Sequence, residues 1–153
     1  MKSFSFREMS SLGSAVGIVL AACLYFPKAL SISAQLQRAL GDAAVWGQRG
    51  VLIGLGVVSV IFLVVLQIVY HIVIGIIWRR DANEKMDERD RMVNLKAARV
   101  AYAILTISIW MTSGYLFLAN VSAVQAVQYL FLSIFVSEFV RYGATFVYYR
   151  LSV

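Results

Sequence analysis

Four runs of apolar residues divide this chain, and one charged stretch separates them into two pairs. The first run is Met9–Phe26, the second Val51–Trp78, the third Val100–Ala119 and the fourth Ala123–Tyr142. A spanning helix needs about 20 mainly apolar residues, so each run predicts a transmembrane helix. Together they predict a single all-α domain over residues 1–153, an integral membrane bundle of four transmembrane helices. Between the second and third runs lies Arg79–Tyr102, which holds seven of the 14 Lys and Arg residues and five of the eight Asp and Glu. Such a segment belongs in water, and it predicts a cytoplasmic helical extension between the second and third spans.

The edges of the runs carry their own signals. Proline supplies no amide donor, so the first helix is expected to stop at Pro27-Lys28. Ala29–Gly50 interleaves Leu30, Leu36 and Leu40 with Gln35, Gln37 and Arg38, breaks at Gly41-Asp42, and carries Trp46, a residue that favours the interface. That pattern fits a short amphipathic helix on the membrane surface, and an ordinary loop fits as well. Val51–Trp78 would be about 42 Å long as a helix, against a hydrocarbon core of roughly 30 Å, so it must tilt or protrude. Trp78-Arg79-Arg80 marks its interfacial end. Asn120-Val121-Ser122 leaves room only for a tight hairpin turn, and Tyr142–Tyr149 prolongs the last helix toward Arg150.

Composition agrees with this class: 61% of residues are hydrophobic and 14% charged, with a formal net charge of +6. The basic residues flank the spans, the pattern by which cytoplasmic loops are marked, and this predicts both termini and the central segment on the cytoplasmic side of a lipid bilayer. Lys28, Arg38 and Arg49 are the exceptions. No stripe of interleaved basic and aromatic residues appears, so direct nucleic-acid binding is not expected. The single cysteine, Cys23, excludes an internal disulfide and a cysteine metal cluster. Leu20-Ala21-Ala22-Cys23, behind Lys2 and Arg7, also resembles a bacterial lipoprotein signal box with Cys23 as the lipidated residue. Glu8 and the apolar residues after Cys23 speak against that, and the segment is read as a span.

Polar residues within spans are costly and usually face the bundle interior, so each is a functional candidate. Ser59, Gln67, His71 and Gly75 share a face of the second span. Tyr102, Thr106, Ser113 and Asn120 share one of the third, and Ser133, Ser137, Arg141 and Thr145 one of the fourth, with Glu138 beside them. Counting 1.5 Å per residue inward from shared interfaces predicts a polar layer of His71, Thr106, Glu138 and Arg141. As a structural pair, Glu138 and Arg141 neutralise each other three residues apart on one helix; as a functional one, they form a proton or ligand site. Gly13 and Gly17, with Ala21, make a small-residue stripe that admits another helix closely and is the candidate homodimer face. No H-x-x-x-H pair, phosphate loop or nucleophile elbow is present, so no enzyme, metal or cofactor is expected.

Asp87-Glu88-Arg89-Asp90 reads as a helix start, with Asp87 capping and Asp90 at the third position near the free amides. Asp87–Arg91 and Asp81–Lys85 are acid-first pairs four apart. Met92, Val93 and Leu95 are apolar among these charges. The whole stretch Asp87–Tyr102, DERDRMVNLKAARVAY, resembles the hallmark of a family of small prokaryotic four-helix membrane proteins. In that family an acidic D-E-R-D/E box leads through a Lys/Arg-Ala/Ser-x-Arg stretch into a helix carrying aromatics. The resemblance implies the four-span layout in a prokaryotic cytoplasmic (inner) membrane. It also implies a partner class, since members are often encoded beside small helix-turn-helix regulators. The expectation is therefore a non-enzymatic regulatory or accessory membrane protein that docks a cytoplasmic protein through Asp87, Glu88, Asp90, Met92 and Leu95. The alternative is a small transporter or proton-coupled carrier using the intramembrane layer.

Overall fold

The computed structural model describes residues 5–38, 42–79, 87–118 and 123–151. These form four long helices: α1 (Phe6–Arg38), α2 (Asp42–Ile77), α3 (Glu88–Leu118) and α4 (Ala123–Leu151). All four are long and apolar enough to cross a membrane, over Phe6–Ile32, Gly56–Ile77, Glu88–Leu118 and Gln125–Leu151. The close helix pairs are α1 with α2, α1 with α4, and α3 with α4. Neighbours therefore follow the order α2, α1, α4, α3, and α1 and α4 form the middle of the bundle.

Two of the helices begin in side-chain caps, reciprocal at α1. At α1 the Ser5 amide donates to Glu8 Oε2 at 3.0 Å while the Glu8 amide donates to Ser5 Oγ at 3.3 Å, a capping box that satisfies two free amides at once. At α3 the Glu88 amide donates to Asp87 Oδ1 at 2.7 Å, and the Asp87 amide donates to Asp90 Oδ2 at 2.8 Å. The expected cap at Asp87 with Asp90 at the third position is thus present.

The first boundary is not where proline suggests. Pro27 lies inside α1, which runs on to Arg38, and α2 is already helical from Asp42. The separate surface helix or loop expected over Ala29–Gly50 is instead the end of one spanning helix and the start of the next. Spanning helices tolerate interior proline more readily than water-exposed ones. Beside it the Gln128 side-chain amide of α4 donates to the Ala29 carbonyl at 3.0 Å, and Tyr25 stacks on Phe135 with ring centroids 6.4 Å apart. The break at Gly41, the Asp81–Lys85 pair, Arg80 and the Asn120–Ser122 turn lie outside the described residues.

The interior is narrow and rich in small or polar side chains. Ala15, Ala21 and Ala29 of α1 are buried, as are Ala97 and Ala101 of α3 and Ser133, Ser137 and Thr145 of α4. Large apolar groups point outward instead, up to Phe117 at 92% exposure. Between spanning helices lipid tails are as apolar as leucine, so close packing of small residues and hydrogen bonds across helices replace the hydrophobic drive. Ser137 illustrates the device: its hydroxyl donates to the Ala101 carbonyl on α3 at 3.0 Å.

Candidate functional site

The polar site lies at the end of the bundle where α1 and α3 begin and α2 and α4 finish. Its centre is Asp90, 3% exposed in the first turn of α3. The carboxylate forms an ion pair with Arg7 of α1 through Oδ2, which also holds the Asp87 amide. Oδ1 accepts from the Tyr149 hydroxyl of α4 at 3.1 Å. Three helices are thus pinned by one carboxylate. A charge this deeply placed is tolerable only when paired and hydrogen-bonded, and here both oxygens are engaged. Next to it Glu8, also buried, lies 3.9 Å from Arg150 of α4, and its own carbonyl accepts from the Ser11 hydroxyl at 2.9 Å.

α2 is fastened at the same end. Gly13 of α1 has no side chain, and a Cβ there would run into the Tyr70 ring, while one at Gly17 would meet Leu66 at 3.6 Å. The small-residue stripe therefore seats α2 of the same chain; the face expected to serve a second copy is occupied within the molecule. The Tyr70 hydroxyl donates to the Met9 carbonyl at 2.6 Å. Beside it His71 Nδ1 is 2.7 Å from the Gln67 carbonyl and Nε2 is 2.9 Å from Ser10 Oγ. A carbonyl only accepts, so Nδ1 carries the hydrogen, and Nε2 shares a hydrogen bond with the Ser10 hydroxyl.

The residues expected to form one polar layer have separate partners. His71 turns to α1. The Thr106 hydroxyl donates to the Tyr102 carbonyl of its own helix at 2.9 Å. Glu138 and Arg141 pair at 3.5 Å, with side chains 42% and 49% exposed. Their neighbours in the spacing-of-four stripe, Ser133 and Thr145, bond back to the Tyr129 and Arg141 carbonyls; the Ser59 side chain lies outside the described residues. Of the docking candidates, Asp90 faces inward together with Val93, which is fully buried. Asp87 and Glu88 are exposed, as are Met92 at 51% and Leu95 at 54%.

Sequence spacing did not single out Arg7, Glu8, Ser10, Tyr70, Tyr149 and Arg150 as members of one site. A signal existed for some of them. Ser5-x-x-Glu8 is a readable capping box, and antiparallel spans necessarily bring the start of α1 beside the end of α4.

Four apolar helices joined by interhelical polar clasps define the class, a polytopic α-helical membrane protein. The family model of predicted membrane proteins, DUF2178, matches residues 10–153, and the chain belongs to that family. No curated protein and no solved structure matches it.

Proposed function

We propose that this is a non-enzymatic regulatory or accessory membrane protein that docks a cytoplasmic protein on the exposed face at the start of α3. The observation that carries the reading is the division of labour in the first two turns of that helix. Asp90 and Val93 face the bundle and hold the helix end rigid, while Glu88, Met92 and Leu95 face away from it. A rigid helix end presenting apolar residues among charges is the arrangement that helix-groove recognition uses. The partner class that the family resemblance offers is a small helix-turn-helix regulator. A carrier role for His71, Thr106, Glu138 and Arg141 has less support, since three grooves along α1, lined by apolar side chains except for Gln67 and Tyr70 in one of them, include none of the four.

The test is co-purification of the full chain with a candidate regulator, comparing the native protein with Met92→Ser/Leu95→Ser. Both changed positions are exposed, so thermal stability in detergent should hold while recovery of the regulator falls. Undiminished recovery would refute the docking face.

A further inference from the structure

The contacts between helices fix which residues lie at one level. Ser137 on Ala101 and Tyr149 on Asp90 set α4 against α3. Gln128 on Ala29 and Arg150 by Glu8 set α4 against α1, and Leu66 by Gly17 with His71 on Ser10 sets α2 against α1. Following these registers along antiparallel neighbours, Ala97, Arg141, Gly17 and Leu66 share one level.

At and beyond that level, toward the start of α3, the two sides of the bundle differ in kind. α3 carries Arg89, Arg91 and Lys96, with Arg99 half a turn inside, whereas α1 and α2 present Leu12, Val16, Ile72 and Ile76, all exposed; the polar groups of α1 and α2 at this end, Arg7, Glu8, Ser10 and His71, are engaged with Asp90, Arg150 and each other. The opposite end reverses the pattern: Lys28 of α1 lies near the level of Trp110, beyond which α3 continues through Phe117 and Leu118, both more than nine-tenths exposed. The apolar belt of α3 is therefore displaced along the bundle from that of α1 by about ten residues, or about 15 Å.

A flat hydrocarbon slab accommodates such an offset by inclination. Helix axes pack 8–10 Å apart, so α1 and α3 stand about 14–20 Å from each other and the offset corresponds to roughly 40°. The apolar span of α2, Gly56–Ile77, is about 33 Å long and also exceeds a core of about 30 Å, in the same direction. We propose that the molecule lies steeply inclined in the bilayer, with the basic residues Arg89, Lys96 and Arg99 of α3 seated among the phosphates of anionic lipids. Charge complementarity names the occupant, since guanidinium and ammonium groups held beside a hydrocarbon slab meet lipid phosphate first. The face of α3 that carries Arg89, Lys96 and Arg99 also carries Met92, so lipid headgroups and a docked protein would compete for it, and the inference does not rest on the docking reading.

The full chain with Cys23→Ser, reconstituted in nanodiscs of phosphatidylethanolamine and phosphatidylglycerol, tests both parts. Spin labels at Val16→Cys, Val65→Cys and Ala98→Cys occupy one level of the bundle. Collision with oxygen and nickel reagents should place the first two in hydrocarbon and the third at the phosphates; equal depth for all three overturns the inclination. Oriented solid-state NMR of α2 should give a tilt far above the average of about 20° for spanning helices, and a tilt at or below that average overturns it too. Native mass spectrometry should show phosphatidylglycerol retained on the native chain and lost from Arg89→Gln/Lys96→Gln/Arg99→Gln. Unchanged retention in that variant, with helicity intact by circular dichroism, overturns the headgroup assignment.

Discussion

Two ion pairs in this membrane protein have nearly opposite characters. Arg7–Asp90 joins α1 to α3, its carboxylate is buried, and Tyr149 and the Asp87 amide complete it. Glu138–Arg141 joins one turn of α4 to the next, at 3.5 Å, with both side chains more than two-fifths exposed. The first organises three helices; the second neutralises two charges locally. Removing one partner of a buried pair strands the other, whereas the Glu138–Arg141 pair holds no second helix in place. Chemical type says nothing of this, and only placement separates the two.

The comparison can be broken by mutation. Asp90→Ala should give the largest loss, about 3 kcal/mol, because Arg7, the Tyr149 hydroxyl and the Asp87 amide all lose their acceptor. Thermal unfolding in detergent measures it, and Arg7→Gln added to Asp90→Asn should recover part of the loss. Gly13→Val should follow at about 1–3 kcal/mol, since the Tyr70 ring must leave its seat and the bond to the Met9 carbonyl with it. Cysteine cross-linking between α1 and α2 would register the separation.

Smaller effects sharpen the same contrast. Ser137→Ala removes the hydroxyl bonded to the Ala101 carbonyl, and should cost about 0.6 kcal/mol, the usual worth of a hydrogen bond between spanning helices. Glu138→Gln breaks a pair within one helix and should cost less than Asp90→Ala, since no second helix is released. A loss as large as that of Asp90→Ala would mean that Glu138 is covered in the membrane by something beyond the chain.

Much of the fold was legible because lipid imposes a simple code. Long uncharged runs can only be spans, and four of them with a charged divider give the all-α bundle. The spacing of four in Ser133, Ser137, Arg141 and Thr145 follows from helix geometry alone and marks a face that is buried at the Ser and Thr positions, though Arg141 is exposed. Pro27 misleads because the rule against proline within helices is calibrated on water-exposed chains, whereas spanning helices accommodate it. Gly13 and Gly17 announce a close approach without naming the helix that makes it. Asp90 is the instructive case. Its capping role is local and was readable, while its pairing with Arg7 depends on a meeting 83 residues distant, which no spacing rule reaches.

The Asp90 clasp also has a consequence for the timing of assembly. Its members lie 83 and 59 residues from Asp90 along the chain, one before it and one after. When α3 first enters the membrane, Arg7 is already waiting but Tyr149 has yet to be synthesised, so the carboxylate has only part of its final shell. α4 must cross the bilayer before its last turn can supply the missing hydroxyl. The knot that ties the bundle is thus drawn last, and a nascent chain halted before α4 carries a half-satisfied buried charge that quality-control proteases could sense as unfinished.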